Sequence, residues 1–223
     1  MGTDLDEALN SEPILRFYDK WSYPYVAQDG QFNPVDTAQI GEDFGHSLKA
    51  HHPRLSSAEM PWGVKLPETV PMLSHWRQVY PSFKMIHVVR NGLDMACCGH
   101  ALQPRPLDDL ILSEQERQAD EAVQTMLYWC RVNGATAQLG ELVLRERYLR
   151  IRLEDWCAEP GSVVDALSGF VGEIDVDELM SLAHDWVSRL GHVGDWRQQP
   201  PHVLERLVDV GGPVLRRFSY GIE

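Results

Sequence analysis

Cysteine is scarce. The chain has four in 223 residues, Cys97, Cys98, Cys130 and Cys157. None stands in Cys-x-x-Cys spacing, which excludes thiolate zinc motifs and a disulfide framework and leaves free buried thiols. Cys97, Cys98 and His100 form the nearest thing to a metal cluster, but adjacent helical residues point about 100° apart, so no metal is expected there. Long apolar runs are missing too, so no segment reads as a membrane span. The start, Met1 to Glu7, is acidic and lacks the apolar stretch of a signal peptide, and Asp6 stands where a myristoylation motif needs Ser or Thr. The expected compartment is the cytoplasm. Positive charge is in short supply, with 20 Lys and Arg against 33 Asp and Glu and a net charge of −13. That balance argues against nucleic acid and anionic membranes as partners. An anionic cofactor would need a local basic cluster, for which Lys65, Arg90, Arg152 and Arg189 are candidates. No Gly-x4-Gly-Lys-Ser/Thr run is present, which counts against a nucleotide kinase.

What remains is a soluble composition, 43% hydrophobic and 24% charged, of a size to bury one large core. Residues 1–61 are weakly patterned. Aromatics gather at Phe17, Tyr18, Trp21, Tyr23 and Tyr25, and Gly30 to Pro34 reads as a turn. His46, His51 and His52 lack a companion acid at metal-ligand spacing and read as a surface or cleft cluster. From Trp62 the pattern sharpens. A helix over Thr69 to Tyr80 is expected to stop at Pro81, with a β-branched strand following from Met85 to Val89. A helix from 92 to 102, a proline-containing loop over 104–116 and a mostly helical 117–145 come next. Tyr148 to Leu153 alternates as a strand. Pro160 opens a helix, and two more carry Val176 to Leu190 and Val203 to Val208. Strands alternating with helices predict an α/β domain with a parallel sheet.

The densest signal runs from Lys84 to Cys98. An apolar strand delivers Arg90, then Gly92, then a helical pattern. This places a cation and a helix start at the carboxyl end of a buried strand, where anions bind.

Three segments in order now resemble one family. They are Gly63-Val64-Lys65-Leu66-Pro67 with Tyr80-Pro81; Ile86-His87-Val88-Val89-Arg90-Asn91-Gly92-Leu93-Asp94; and Tyr148 to Trp156 with Glu159-Pro160 and Phe170-Val171-Gly172. A late Gly191-His192-Val193-Gly194-Asp195-Trp196-Arg197 loop follows. Together they are similar to the sulfotransferases that use 3′-phosphoadenosine 5′-phosphosulfate, from about Trp62 to the end. The resemblance implies a single three-layer α/β/α domain of P-loop-NTPase-like type, with 1–61 as an irregular acceptor-side region and 62–223 as the α/β core. It implies sulfuryl transfer from that donor to a hydroxyl or amine of a small molecule or glycan. The alternative is a non-catalytic relative that keeps the fold for binding.

By the same resemblance Arg90 holds the donor's 3′-phosphate, since a guanidinium grips phosphate through two parallel hydrogen bonds. Its structural alternative is a pair with Asp94. Cys98 stands where relatives place a serine on that phosphate, and a thiol is a weaker donor. Lys65 matches a lysine near the transferred sulfate, or is a strand-end surface residue. Arg189, His192 and Arg197 flank the late loop, where relatives place cations on the 3′-phosphate. That loop otherwise reads as a solvated turn. Leu153 replaces a tyrosine that touches adenine. Glu154 and Asp155 are expected to brace the following loop, and Trp196 to pack. The family's N-terminal strand and Pro-x-Ser-Gly-Thr-Thr loop have no counterpart here, so the expected fold lacks both. An enzyme is expected if such a loop exists outside this chain, and a binding relic if it has been shed. Glu12, within Ser11-Glu12-Pro13, is the candidate general base, with His51, His52 and Glu59 as rivals.

Overall fold

The computed structural model describes residues 20–21, 34–51, 63, 65, 73–97, 111–172, 175–187 and 193–221. The chain divides into two compact units, Met1–Phe83 and Lys84–Glu223.

In the first unit, α1 (Pro34–His51) and α2 (Leu73–Val79) bury Ile40, Phe44, Leu73 and Trp76. Phe44 and Trp76 meet with ring centroids 4.4 Å apart, and Tyr80 closes on both. The 18-residue α1 falls where the sequence shows little pattern. Among its described side chains Ile40 and Phe44, four apart, are the buried anchors, too narrow a stripe to stand out. Within α1, Asp43 accepts hydrogen bonds from the Trp21 indole (2.9 Å), Gln39 and Lys20. His46 is exposed on α1, and His52 lies outside the described residues.

The second unit carries the strands. β1 (Met85–Val89) pairs in parallel with β2 (Tyr148–Arg152), Met85 opposite Tyr148 and Val89 opposite Arg152. Between them lie α3 (Gly92–Cys97) and α4 (Glu121–Leu139), the latter capped by the Asp120 carboxylate on Val123 N–H. After β2 come α5 (Leu153–Ala158), α6 (Pro160–Val171), α7 (Val176–Val187) and α8 (Pro201–Arg217). Both strands, the Pro160 start and the last three helices are where the sequence predicts them. The α/β class with a parallel sheet is present, carried by two strands among the described residues and otherwise mostly helical. No helix among the described residues is long and apolar enough to cross a membrane.

Alternation along the strands divides the core. Val89 joins Leu93, Met126, Trp129, Trp196, Leu207, Leu215, Phe218 and Tyr220 on one side of the sheet. Ile151 joins Val163 and Leu167 on the other. β1 is apolar on both sides apart from His87, which predicts burial all through. Yet Ile86 and Val88 are 42% and 59% exposed. Among the described residues the second cluster gathers on β2, around Leu149 and Ile151, and includes none from β1.

His87 is the polar exception inside. Its Nδ1 lies 2.8 Å from the Tyr148 hydroxyl and its Nε2 2.9 Å from Asn133 Oδ1. An amide oxygen only accepts, so Nε2 carries the proton and Nδ1 accepts from Tyr148. Burial holds the imidazole pKa below its usual 6.5, with Arg150 adding to that effect and Asn133 and Glu141 opposing it. The folded ring therefore stays neutral where the unfolded one protonates. Stability contributed by the neutral ring is complete above pH about 6.5 and is lost as pH falls below it, by at most about 1.4 kcal/mol per unit. Urea midpoints across pH 7.5 to 5 should fall accordingly, and His87→Gln should flatten that part of the curve.

Candidate functional site

Both parallel strands point their carboxyl ends at one cavity of about 550 Å³ within the second unit. That is the location where open α/β sheets bind ligands, and the volume suits a nucleotide-sized molecule. Asn91, just beyond β1, and Arg152, the last residue of β2, line it. Asp94 of α3, Glu154 of α5, and the Gly194, Trp196 and Arg197 turn complete one side. Arg216, Ser219 and Tyr220 close the other from the end of α8.

The carboxylates here are already engaged. Asp94 is 0% exposed and accepts from the backbone N–H groups of Gly194 (2.8 Å) and Trp196 (3.1 Å). It ties the 193–197 turn to α3 across about a hundred residues of sequence. Glu154 accepts from Asn91 N–H and from the Tyr220 hydroxyl, both at 2.8 Å. Tyr220 also reaches the Val89 carbonyl at 3.1 Å. Burial, reinforced by the Glu154 charge, raises the Tyr220 pKa far above the usual phenol range, so the hydroxyl stays protonated. Glu154 and Asp155 do not brace a following loop, since α5 begins directly after β2 and carries both; they tie α5 to Asn91, Tyr220 and Arg152 instead. Asp155 takes a two-point grip on Arg152, whose third donor goes to Ser219 carbonyl oxygen at 2.8 Å.

Two of the donors at the start of α3, expected to cradle an anion, are satisfied internally. Glu154 takes the Asn91 N–H, and the Asn91 side chain takes the Leu93 N–H at 2.9 Å. Gly92 has a different reason for being glycine. A Cβ there would lie 2.8 Å from the Trp129 ring, whose Nε1 donates to the Arg90 carbonyl at 2.9 Å. The strand end is therefore seated directly on an indole.

Arg90 itself is half-buried immediately after β1 and is not among the residues lining this cavity. Its charge acts on Cys157 of α5, a thiol that burial nonetheless pushes up. The Asp94 carboxylate proposed as its alternative partner is committed to the 193–197 turn. Lys65 is exposed in the first unit. Glu12, Cys98, Arg189 and His192 lie outside the described residues, as do His52 and Glu59. Trp196 is buried in the main cluster, as expected of a packing residue.

Among the described residues the cations lining the cavity are Arg152, Arg197 and Arg216. The first two stand among the basic residues singled out from the sequence. Arg216 was not, because Arg216-Arg217 in a last helical turn matches ordinary complementation of the helix dipole. Only the packing of α8 against α3 and α4 could reveal it. Among the described residues no group of His, Cys, Asp or Glu has metal-holding geometry. Searches against known protein families, curated proteins and solved structures find no match to this chain.

Proposed function

We propose that this cavity binds the phosphate groups of an adenosine bisphosphate-type ligand, and that the chain acts as a sulfotransferase using 3′-phosphoadenosine 5′-phosphosulfate. The observation that carries the reading is the placement of three arginines around a nucleotide-sized cavity at the carboxyl ends of two parallel strands, in a chain of net charge −13. The three-layer sulfotransferase-type fold belongs to the same proposal. The donor supplies an activated sulfuryl group. Transfer to a hydroxyl or amine of a small molecule or glycan leaves charge on the departing phosphate, which fixed guanidinium groups stabilise. Arg90 enters this reading through its place between β1 and Asn91. Lys65, Cys98, Arg189, His192 and Glu12 enter it through the resemblance alone.

One observation favours the second reading, a binding protein without catalysis. Asp94 and Glu154, the cavity's carboxylates, both spend their oxygens on internal donors, so neither is poised to take an acceptor's proton. Calorimetry with adenosine 3′,5′-bisphosphate tests the shared part, and wild-type protein should bind it. Release of the bisphosphate from the phosphosulfate donor, over a panel of hydroxyl and amine acceptors, separates the two. Turnover supports the enzyme, binding without turnover the non-catalytic relative, and no binding removes both.

A further inference from the structure

The charges around the cavity do not cancel, and the imbalance is local. Arg152 is neutralised by Asp155. Asp94 and Glu154 are committed as described above. Arg197 and Arg216 remain, and neither has a carboxylate partner among the described residues. Arg197 instead lies over the Trp196 ring, 4.5 Å from its centroid. In a chain with 33 acids against 20 bases, two arginines lining one cavity without a counter-ion are unusual placements.

Both arginines are solvent-exposed, and each lays its guanidinium back along its own segment. Arg197 Nη1 folds back to 2.8 Å from where a Cβ on Gly194 would stand, and Gly194 is left-handed at φ +87°. Any side chain there would displace Arg197 and strain the backbone. Arg216 Nη1 lies 3.3 Å from the corresponding point on Gly212, one turn back along α8. The turn carrying Arg197 is anchored through Asp94. The last turn of α8 is closed by Tyr220 N–H on the Leu215 carbonyl at 3.0 Å.

We propose that Arg216, from the last turn of α8, acts with Arg197 as a two-arginine clamp for one dianionic phosphate group of the ligand. This rests on the cavity being an anion site, and it adds a gripping residue and a charge requirement. A phosphate monoester carries close to the two charges that such a pair would balance and inorganic pyrophosphate carries more, whereas a sulfate ester carries one.

The test uses calorimetry with two probes, inorganic pyrophosphate and adenosine 3′,5′-bisphosphate, on wild type, Arg197→Ala, Arg216→Ala, Arg216→Lys and Arg216→Gln. Arg206→Ala, on the same helix but paired with Asp120 at 3.0 Å, is the control. Loss of either clamp arginine should weaken both probes about tenfold or more, with partial recovery in Arg216→Lys and no change in Arg206→Ala. Arg216 is exposed, so its variants should melt with the wild type, and Arg216→Gln repeats the measurement with the side chain's bulk retained. Wild-type affinity in both Arg216→Ala and Arg216→Gln overturns the clamp and leaves the binding site standing. Binding of pyrophosphate without the nucleotide, with both arginines required, supports the clamp and overturns the nucleotide reading. No binding of either probe overturns both.

Discussion

Replacing Asp94 by alanine should lower the unfolding free energy by about 3–5 kcal/mol. The carboxylate is wholly buried and accepts two backbone N–H groups, from Gly194 and Trp196. Hydrogen bonds to an ionised acceptor are the strong ones. Alanine leaves those donors without their acceptor. Asp94→Asn keeps one carbonyl oxygen but turns an amide NH2 toward one of the N–H groups, so it should recover less than half of the loss. Urea denaturation measures both. The same variants should weaken bisphosphate binding, because Arg197 rides on the turn that Asp94 anchors. An Asp94→Ala protein as stable as wild type would show that the turn holds itself in place and that the carboxylate is incidental.

Trp129→Ala should cost a comparable amount, about 3–5 kcal/mol by the usual loss for a large aromatic in a core. The ring is nearly fully buried and packs edge-on to Phe218, with centroids 5.6 Å apart, and 6.3 Å from Tyr220. It also underlies Gly92 and holds the Arg90 carbonyl. Two gentler variants separate these roles. Trp129→Phe keeps most of the apolar area and removes the indole N–H, and should cost about 1–2 kcal/mol. Gly92→Ala leaves the indole but drives a methyl into it, at about 1–3 kcal/mol. If Gly92→Ala proved neutral in a thermal melt, the contact between strand end and indole would be slack and Arg90 would owe its position to something else.

The legible parts of the chain were those in which neighbours in sequence cooperate. Met85 to Val89 and Tyr148 to Arg152 are short β-branched or alternating runs, and their type follows from local preference. Pro160 and the amphipathic stripes of α6, α7 and α8 were equally plain. The helix α1 was hidden because Ile40 and Phe44, the buried pair among its described side chains, make too short a pattern to stand out. Exposure of Ile86 and Val88 was hidden because a strand's composition says nothing about which helices will cover it.

The candidate site divides along the same line. Sequence alone identified a cation and a glycine at the end of β1, an acidic pair after β2, and a late Gly-Asp-Trp-Arg turn. Tertiary structure decided which of them meet. It brought Asp94 under a turn about a hundred residues away, filled two of the donors at the start of α3 with Glu154 and Asn91, and drew Arg216 into the cavity from the end of α8. The reason is physical. Periodicity and turn chemistry act over a few residues, whereas a buried carboxylate is satisfied by whichever backbone donors the packed chain presents to it, and that is settled only once the helices have closed on the sheet.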